Sequence, residues 1–395
     1  MTGIPGRPSV LRAMNDRIVV ELMLERGPLS RSQVVQLSGL SKPTAAEILS
    51  RLVADGLVTQ RGTSSGLRGP SAQLYYVNED SGFVCGVNAE EERVTGVVAD
   101  ITGGTRGRAS ITSDFTRGQD PVSAIRQVVR VAARRAHVPM RSLRHIVVGI
   151  PGAYDPGCDS VTYAGHLPGW ETPGVVDRLR RAFGVALTVE NDANLAAVGE
   201  RTRGCAGGVD TFALLWVAEG LGLAVHFGGG LYEGATGGAG EVGYMPVGGR
   251  SVTFQDSVGA SAVLELARRH GLIGDTADAV VAKAVGDPGR RPFLMELAER
   301  LATGVATIVA VFDPPLLVLG GATCLAGGEL LLELTSRKLG EMSPFRTRLA
   351  LSAVKDSPVL AGAQDLSVAY GRQDLFGELS SRPWTPMSPA TWVPA

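Results

Sequence analysis

The chain has 395 residues, of which 44% are hydrophobic, and its formal net charge is −1. It is too long for a lone DNA-binding module of roughly 80 residues and long enough for a large globular body of one or two lobes. Its four cysteines lie far apart without a C-x-x-C pair, which argues against a disulfide framework or a zinc knuckle. No apolar run approaches the roughly 20 residues that span a bilayer, and the amino terminus lacks a signal-peptide core, so we expect a cytoplasmic protein without membrane contact.

The first predicted element is a helix from Val10 to Arg26. Its apolar residues recur at helical spacing and are Val10, Met14, Ile18, Leu22 and Met23. Two shorter helical patterns follow between Leu29 and Leu57, separated by a Ser-Gly-Leu-Ser turn. This order is typical of a helix-turn-helix, although two packed helices joined by a glycine turn also occur in ordinary helical cores.

Capping signals mark both short helices. Ser30 and Gln33 form an S-x-x-Q capping box, Gly39 ends the first helix, Ser41 can cap the second, and Pro43 suits its first turn. Apolar residues then face a core from each helix, namely Val34, Val35 and Leu37 in the first and Ala45, Ile48, Leu49 and Leu52 in the second.

The polar face of the second short helix is predicted to point outward, as the first turn of a recognition helix does when it reads base edges. Strands at 57–60 and 73–77 flank the loop RGTSSGLRGPS, which resembles the wing of a winged helix. We therefore expect double-stranded DNA as a partner, with contacts to bases or to phosphate. The predicted DNA-binding residues are Arg31, Ser41, Lys42, Thr44, Glu47, Arg51, Arg61 and Arg68.

Charge is divided unevenly along the chain. Up to Val77 there are nine Lys or Arg residues and five acidic residues, whereas the remainder holds 29 basic and 34 acidic residues. A basic head on an acidic body directs phosphate binding to one part of the molecule.

The body shows an α/β pattern. The predicted strands are 83–88, 94–100, 109–112, 145–150, 186–190, 211–217, 222–227 and 316–321, and the predicted helices are 121–136, 174–183, 193–202, 293–312 and 329–339. Three strands followed by α-β alternation, found twice, is typical of the two-lobed actin-like (ribonuclease H-like) fold, although periodicity alone does not separate it from other α/β folds.

Five motifs resemble, in sequence and in order, those of the ROK family of repressors, sugar kinases and uncharacterised frames. They are IPGAYDPG (150–157), HLPGWE (166–171), VENDANLAAVGE (189–200), GGAGEVGYMPVGG (237–249) and LLVLGGATCLAGGELL (316–331). The resemblance covers nearly the whole chain, because the repressor branch also begins with a winged helix. It implies a winged helix-turn-helix at 1–78 and a two-lobed ROK domain at 79–376. We expect the Pro/Ser-rich tail at 377–395 to be loosely ordered.

The phosphate loops of the kinase branch are altered. Where ROK kinases carry D-x-G-G-T, the first strand here runs into Glu90-Glu91-Glu92, and Glu219 replaces the threonine of G-T-G-I-G. A like charge at about 5 Å costs roughly 3 kcal/mol at an effective dielectric constant near 20, so these carboxylates oppose ATP. Alternatively, 90–92 is a solvated hairpin tip, which also leaves no phosphate loop. The Gly-Gly pairs within 100–105 and 320–321 are interpreted as plain turns.

The structural zinc site of the family also lacks its ligands. Tyr244 occupies the position of the family's zinc-binding His, and no cysteine follows Gly249 in the cluster region. We predict no metal and no other cofactor, and we expect packing among Val252, Phe254 and Val258 to stabilise that loop instead.

The sugar pocket of the family is partly kept. The resemblance implies ligand contacts from Gly152, His166, Asn191, Asp192, Glu241 and Tyr244. Two of these differ from the family pattern, because His166 replaces an Asn and Tyr244 a His, so the usual sugar specificity does not carry over. A further glutamate of the family falls near 255–256, and Trp170 is expected to pack under its loop. Alternatively, Asn191-Asp192 caps the next helix, which is compatible with ligand binding.

These features predict a transcriptional regulator with a ROK pseudokinase body that senses a sugar or sugar derivative and forms a homodimer or homotetramer. The family resemblance favours repression over activation. The enzyme alternative is an ATP-dependent sugar kinase fused to a DNA-binding head, with Asp192 as its base. A third possibility is a regulator whose pocket is vestigial and whose activity is set by a protein partner.

Overall fold

The computed structural model describes residues 8–64, 72–155, 157–162, 164, 167–247 and 252–376. Three predictions fall outside these residues: the wing residue Arg68, the ligand contact His166 and the tail at 377–395. Within the described ranges, no helix combines the length and apolar character that crossing a bilayer requires.

The amino-terminal head is a winged helix-turn-helix, as predicted. Its elements are α1 (Pro8–Arg26), β1 (Leu29–Ser30), α2 (Arg31–Ser38), α3 (Lys42–Ala54), β2 (Val58–Ser64) and β3 (Ala72–Val77). The three strands form one sheet in the order β1-β3-β2. The strands flanking the wing thus lie beside α2 and α3, where a winged helix requires them.

Local capping chemistry defines α2 and α3. Ser30 accepts a hydrogen bond from the amide of Gln33, whose side chain accepts one from the amide of Ser30. Gly39 ends α2 at φ 70°, a conformation that glycine adopts without a Cβ clash. Ser41 caps α3 through the amide of Thr44. These capping predictions are confirmed.

The head core confirms the predicted inner face of α3, where Ala45, Ile48, Leu49 and Leu52 are buried. Two other predictions hold only in part. In α1 the predicted Met23 is buried and the predicted Leu22 packs against the head core, but Met14 is 49% exposed, and Val19 and Val20 are buried although the predicted stripe left them out. Leu37 is 45% exposed, because α2 buries only Val34 fully.

The first part of the body is built on a five-stranded sheet. Its region comprises β4 (Phe83–Ala89), β5 (Arg93–Asp100), β6 (Thr105–Thr112), α4 (Pro121–Arg135), β7 (Leu143–Ile150), β8 (Ala153–Asp155), β9 (Ser160–Thr162), α5 (Val175–Phe183) and β10 (Ala186–Asn191). The sheet order is β10-β7-β4-β5-β6, and β8 pairs separately with β9. The predicted antiparallel meander is confirmed, although β6 begins four residues earlier than expected.

The second part of the body contains another five-stranded sheet, in the order β13-β12-β11-β14-β15. Its elements are α6 (Asp192–Arg203), β11 (Phe212–Val217), β12 (Leu221–Phe227), β13 (Gly230–Leu231), α7 (Phe254–Val258), α8 (Ala260–Arg269), α9 (Ala277–Val285), α10 (Arg291–Phe312), β14 (Leu316–Gly320), α11 (Ala322–Met342), β15 (Arg348–Leu351) and α12 (Pro358–Phe376). A kink at Gly328 interrupts α11, which explains why the sequence predicts a helix only from Glu329. Together with the head, the two sheets confirm the predicted fold class.

The described residues divide into two compact units. The first takes the chain up to Val148, Arg178–Thr188 and the residues from Gln364 onward, and the second takes the rest. The head lies in the first unit and shares its hydrophobic core with Ile101 in the β5–β6 turn and with Leu375 and Phe376 at the end of α12. It is therefore packed against the rest of its unit, not merely linked to it in sequence.

Candidate DNA-contacting head and ligand site

The start of α3 presents a polar turn to solvent. Ser41, Lys42 and Glu47 are exposed, and Thr44 is half-buried. The hydroxyl groups of Ser41 and Thr44 lie 2.8 Å apart, within hydrogen-bond distance. Ser41 therefore caps α3 and is also part of its exposed polar surface. The fold thus brings four of the predicted DNA contacts onto one helical turn and a half, with a cation at the first position of the helix.

The sequence predicted that Arg51 faces outward as a DNA contact, but its side chain is held in ion pairs within the head. Its guanidinium forms an ion pair with Asp16 of α1 and a longer one, at 3.5 Å, with Glu47. The hydrogen bond to Asp16 raises the pKa of Arg51. Asp16 is 35 residues away in sequence, so helical periodicity could not reveal this partner. Arg51 is thereby engaged in fastening α3 to α1.

Two further cations of the head lie away from α3. Arg31 is the first residue of α2 and is exposed, and its Nη2 lies 3.4 Å from the hydroxyl of Tyr75 on β3. Arg61 is exposed on β2 at the base of the wing.

The predicted ligand residues Asn191 and Gly152 are held together at the start of α6. The Asn191 side chain accepts hydrogen bonds from the amides of Ala193 and Asn194, at 2.9 and 3.3 Å, and donates one to the carbonyl of Gly152 at 3.1 Å. Asn191 is therefore the helix cap that the sequence allowed as an alternative. Asp192, the first residue of α6, is half-buried beside it.

Gly152 cannot be replaced by a larger residue without local movement. Its φ is 153°, and an added Cβ would lie 2.9 Å from the carbonyl oxygen of Thr162 and 3.0 Å from the Cβ of Ala164. The carbonyl of the same residue accepts the hydrogen bond from the Asn191 side chain.

Two carboxylates were not among the predicted site residues. Glu190 is 8% exposed and accepts hydrogen bonds from the Asn191 amide and the Asn194 side chain, both at 2.8 Å. Burial raises the pKa of Glu190, while these hydrogen bonds oppose the rise. Burial and the nearby charge of Glu190 raise the pKa of Glu233 to about 7. Glu190 stands within the E-N-D-A-N motif, but Glu233 comes close only through folding.

The glycine-rich segment at 237–241 is pinned to β12. The carbonyl of Gly240 accepts a hydrogen bond from the Leu223 amide at 2.9 Å, and a Cβ at Gly240 would lie 1.7 Å from the Leu223 carbonyl oxygen. Glu241 follows and is half-buried, and burial raises its pKa. Tyr244 is 66% exposed. Since a Cβ at Gly222 would lie 3.0 Å from the Ala193 Cβ, β12 borders both the start of α6 and this segment.

The segments predicted to have lost phosphate binding adopt ordinary turns. Glu90, Glu91 and Glu92 form the exposed tip of the β4–β5 hairpin, which confirms that interpretation of the run. Asp100 fills the turn after β5 by accepting hydrogen bonds from Thr102, Gly104 and Arg106, so the Gly-Gly sequence there is a plain turn, as predicted.

The segment in which the resemblance implied the loss of zinc ligands contains the short helix α7. Phe254 and Val258 are buried as expected, but Val252 is 43% exposed and does not share in that packing. Thr253 and Asp256 form a capping box at the start of α7, and Gln255 donates to the carbonyl of Glu219 at 3.0 Å. In the part of the chain that the structure describes, no three His, Cys, Asp or Glu side chains are grouped to hold a metal. Trp170 is fully buried, as predicted.

Comparison with known families matches both parts of the chain. A profile of the ROK family matches residues 86–369, and a profile of the IclR helix-turn-helix domain matches residues 20–62. Among curated proteins, the chain is 24% identical over 394 residues to a protein named xylose repressor from Caldicellulosiruptor bescii, covering 90% of this chain and 96% of that protein.

Solved structures share the fold. A ROK family transcriptional regulator, described as a homologue of the E. coli MLC protein, aligns with a TM-score of 0.73 at 17% identity, over 93% of this chain and 99% of its own. A ROK glucokinase from Streptomyces griseus, solved with glucose and AMPPNP, aligns with a TM-score of 0.60 at 23% identity, over 72% of this chain and 99% of its own. The glucokinase match spans less of this chain than the regulator match.

Proposed function

The chain belongs to the ROK family and carries a helix-turn-helix in its head, and on that basis we propose that it is a DNA-binding transcriptional repressor with a ligand-sensing body. In this proposal residues 1–78 bind DNA and residues 79–376 sense the ligand. The observation that carries it is the head itself, in which two capped helices expose a polar, cationic first turn of α3 and are followed by the antiparallel strands β2 and β3.

Each DNA-contacting residue has a role that its position supports. Ser41, Thr44 and Glu47 face base edges from the first turns of α3, and Lys42 contacts the phosphate backbone. Three arginines contact the phosphate backbone, namely Arg31, Arg61 and Arg68. Similarity to a protein named xylose repressor over nearly its full length supports repression as the outcome.

The body binds a carbohydrate-type ligand at the start of α6. Asp192 and Glu241 accept hydrogen bonds from ligand hydroxyls, since charge-assisted hydrogen bonds to a carboxylate exceed neutral ones in strength. Gly152, His166, Asn191 and Tyr244 complete the proposed contacts. D-xylose is a natural first probe because of the names of the relatives.

Phosphoryl transfer is not part of the proposed function. The hairpin tip at 90–92 and Glu219 present carboxylates where the kinase branch presents glycine amides and threonine hydroxyls. A kinase needs donors that neutralise the phosphate charge, whereas carboxylates repel it. The proposal also invokes no metal and no nucleotide cofactor, and it takes the molecule to be a homodimer or homotetramer.

Selection of duplexes from a random pool by the purified full chain tests the DNA-binding role. We expect enrichment of a two-fold symmetric sequence, because a single recognition helix reads too few bases for selective control. Recovery of no sequence above the starting pool would contradict the proposal.

A panel of D-xylose, D-glucose and N-acetylmannosamine, each with and without ATP and Mg²⁺, tests the sensing role. At least one sugar should raise the melting temperature, since a ligand that binds only the folded state stabilises it. Sugar-dependent ADP release above background would instead identify a kinase. A lack of any melting shift across this and wider sugar panels would favour the vestigial pocket.

A further inference from the structure

A groove lies between the starts of α2 and α3 and the middle of β3. It has a volume of about 510 Å³. Its lining residues are Arg31, Ser32 and Val35 of α2, Lys42 of α3, and Ala72, Gln73 and Tyr75 of β3. Two cations, Arg31 and Lys42, thus line one groove on the part of the head that is proposed to meet DNA.

The two cations are available to an external anion. Among the described residues, neither Arg31 nor Lys42 has a carboxylate within salt-bridge distance, whereas Arg51 is paired with Asp16 and Glu47. The groove also contains hydrogen-bond donors from Ser32 and Gln73. A phosphodiester is the anion that suits such a groove, because a guanidinium and an ammonium on opposite sides can share one phosphate.

Among the residues that line the groove, Tyr75 alone is buried. It lies on the central strand of the head sheet, opposite Leu29 of β1 on one side and Gln60 of β2 on the other. Its side chain belongs to the head core, and the residue is 3% exposed. Its hydroxyl nevertheless reaches the groove and accepts a hydrogen bond from Nη2 of Arg31 at 3.4 Å.

We propose that Tyr75 is a positioning residue for DNA binding: its hydroxyl orients Arg31, so that Arg31 and Lys42 together hold one backbone phosphate in this groove. An exposed arginine otherwise loses rotamer freedom when it binds, and an existing hydrogen bond reduces that loss. The inference rests on the proposed function, which supplies the DNA.

Tyr75→Phe tests the inference, because it keeps the buried ring and removes only the hydroxyl. We expect its affinity for DNA to fall by about 2- to 10-fold, the size of one hydrogen bond, with an unchanged salt dependence because no charge is lost. Arg31→Ala should weaken binding and reduce the salt slope by about one. In the Arg31→Ala background, adding Tyr75→Phe should have no further effect.

The control is Tyr76→Phe, which changes the neighbouring residue of β3 on the opposite face of the strand and should bind DNA like the wild type. Since a phosphate contact carries no sequence information, the Tyr75→Phe loss should be equal on the selected duplex and on an unrelated duplex of the same length. Wild-type affinity for Tyr75→Phe, or an equal loss with and without Arg31, would overturn the inference. If wild-type protein binds neither duplex, the proposed function itself fails.

Discussion

At the scale of single residues, Lys42 and Arg51 illustrate how two cations of one helix separate into different roles. Lys42 opens α3 and is exposed, whereas Arg51 is paired with Asp16. We predict that Lys42→Ala weakens operator binding, reduces its salt slope by about one, and leaves the melting temperature unchanged. Arg51→Ala should instead lower the melting temperature, because it leaves Asp16 without its partner. Fluorescence anisotropy and thermal melting measure these effects. Equal slopes for wild type and Lys42→Ala would exclude Lys42 from the DNA contact.

Asn191 and Asp192 have separable functions although they are adjacent. Asn191 already caps α6, so Asp192→Asn should leave the helix intact. If Asp192 accepts hydrogen bonds from a ligand hydroxyl, Asp192→Ala should weaken ligand binding by about ten- to a hundredfold, which corresponds to roughly 1.5 to 3 kcal/mol. Calorimetric titration with the sugar that raises the melting temperature measures this loss. Wild-type affinity in both variants would remove Asp192 from the pocket.

The buried Glu190 and the half-buried Glu233 predict a pH-dependent stability. An acid whose pKa is raised in the folded state favours folding while it is protonated. The ordinary pKa of Glu233 is 4.5 and its folded-state pKa is about 7, so its contribution to the free energy of unfolding is lost as the pH rises between these two values. Glu233→Gln should therefore stabilise the protein relative to wild type at pH 8 more than at pH 5. Glu91→Gln, at the exposed hairpin tip, is the control and should show no such trend. A constant difference between Glu233→Gln and wild type across this range would contradict the prediction.

Sequence predicted the residues whose role is set within one or two helical turns. The Ser30 and Ser41 caps are of this kind, since capping depends on residues three positions apart. The Arg51–Asp16 ion pair and the approach of Glu233 to Glu190 could not be predicted, because both join residues that are distant in sequence.

At the scale of secondary-structure elements, α12 joins the body to the head. Its last residues, Leu375 and Phe376, pack against the head core, and Arg372 donates hydrogen bonds to the carbonyls of Ile101 and Thr102. Burial lowers the pKa of Arg372. Its two carbonyl contacts place the guanidinium against the turn after β5. A change in the position of α12 would therefore reach the head through packed side chains.

We predict that Leu375→Ala lowers the stability of the head and weakens operator binding, because it removes apolar contacts from a shared core. The ligand-induced melting shift should remain, since the substitution changes none of the proposed ligand contacts. The matched control is Gln373→Ala, an exposed position two residues earlier on the same helix. Wild-type melting and operator affinity in Leu375→Ala would show that α12 does not support the head.

Elements with a clear period were predictable, and those without one were not. The helix α4 buries a single apolar face, and its predicted end differs by one residue. The helix α12 has apolar residues around much of its circumference and buries several of them, so it shows no single stripe. The short helix α7 is defined mainly by its capping box, and β15 is only four residues long, so neither carries a strong periodic signal.

At the scale of the whole molecule, the proposed regulator combines a basic head with an acidic body under a net charge of −1. The ROK profile matches residues 86–369 in the body and the helix-turn-helix profile matches residues 20–62 in the head, so the two matches fall on opposite sides of that charge division. Family motifs rather than composition identified the body, because an α/β pattern is shared by many folds. Those motifs do not predict the ligand, since the resemblance implies that two of the family's sugar contacts are replaced here, at His166 and Tyr244.

The most direct test of the central claim is the affinity of the full chain for its selected operator, measured with and without each sugar that raises its melting temperature. A ligand changes the DNA affinity of a sensor only if it binds the DNA-bound protein and the DNA-free protein with different affinities. We predict a change of about tenfold or more with at least one such sugar, in the absence of ATP, and a greatly reduced response in Asp192→Ala at the same sugar concentration. Operator affinity that stays constant with every stabilising sugar would contradict the claim that the body senses a ligand for the head.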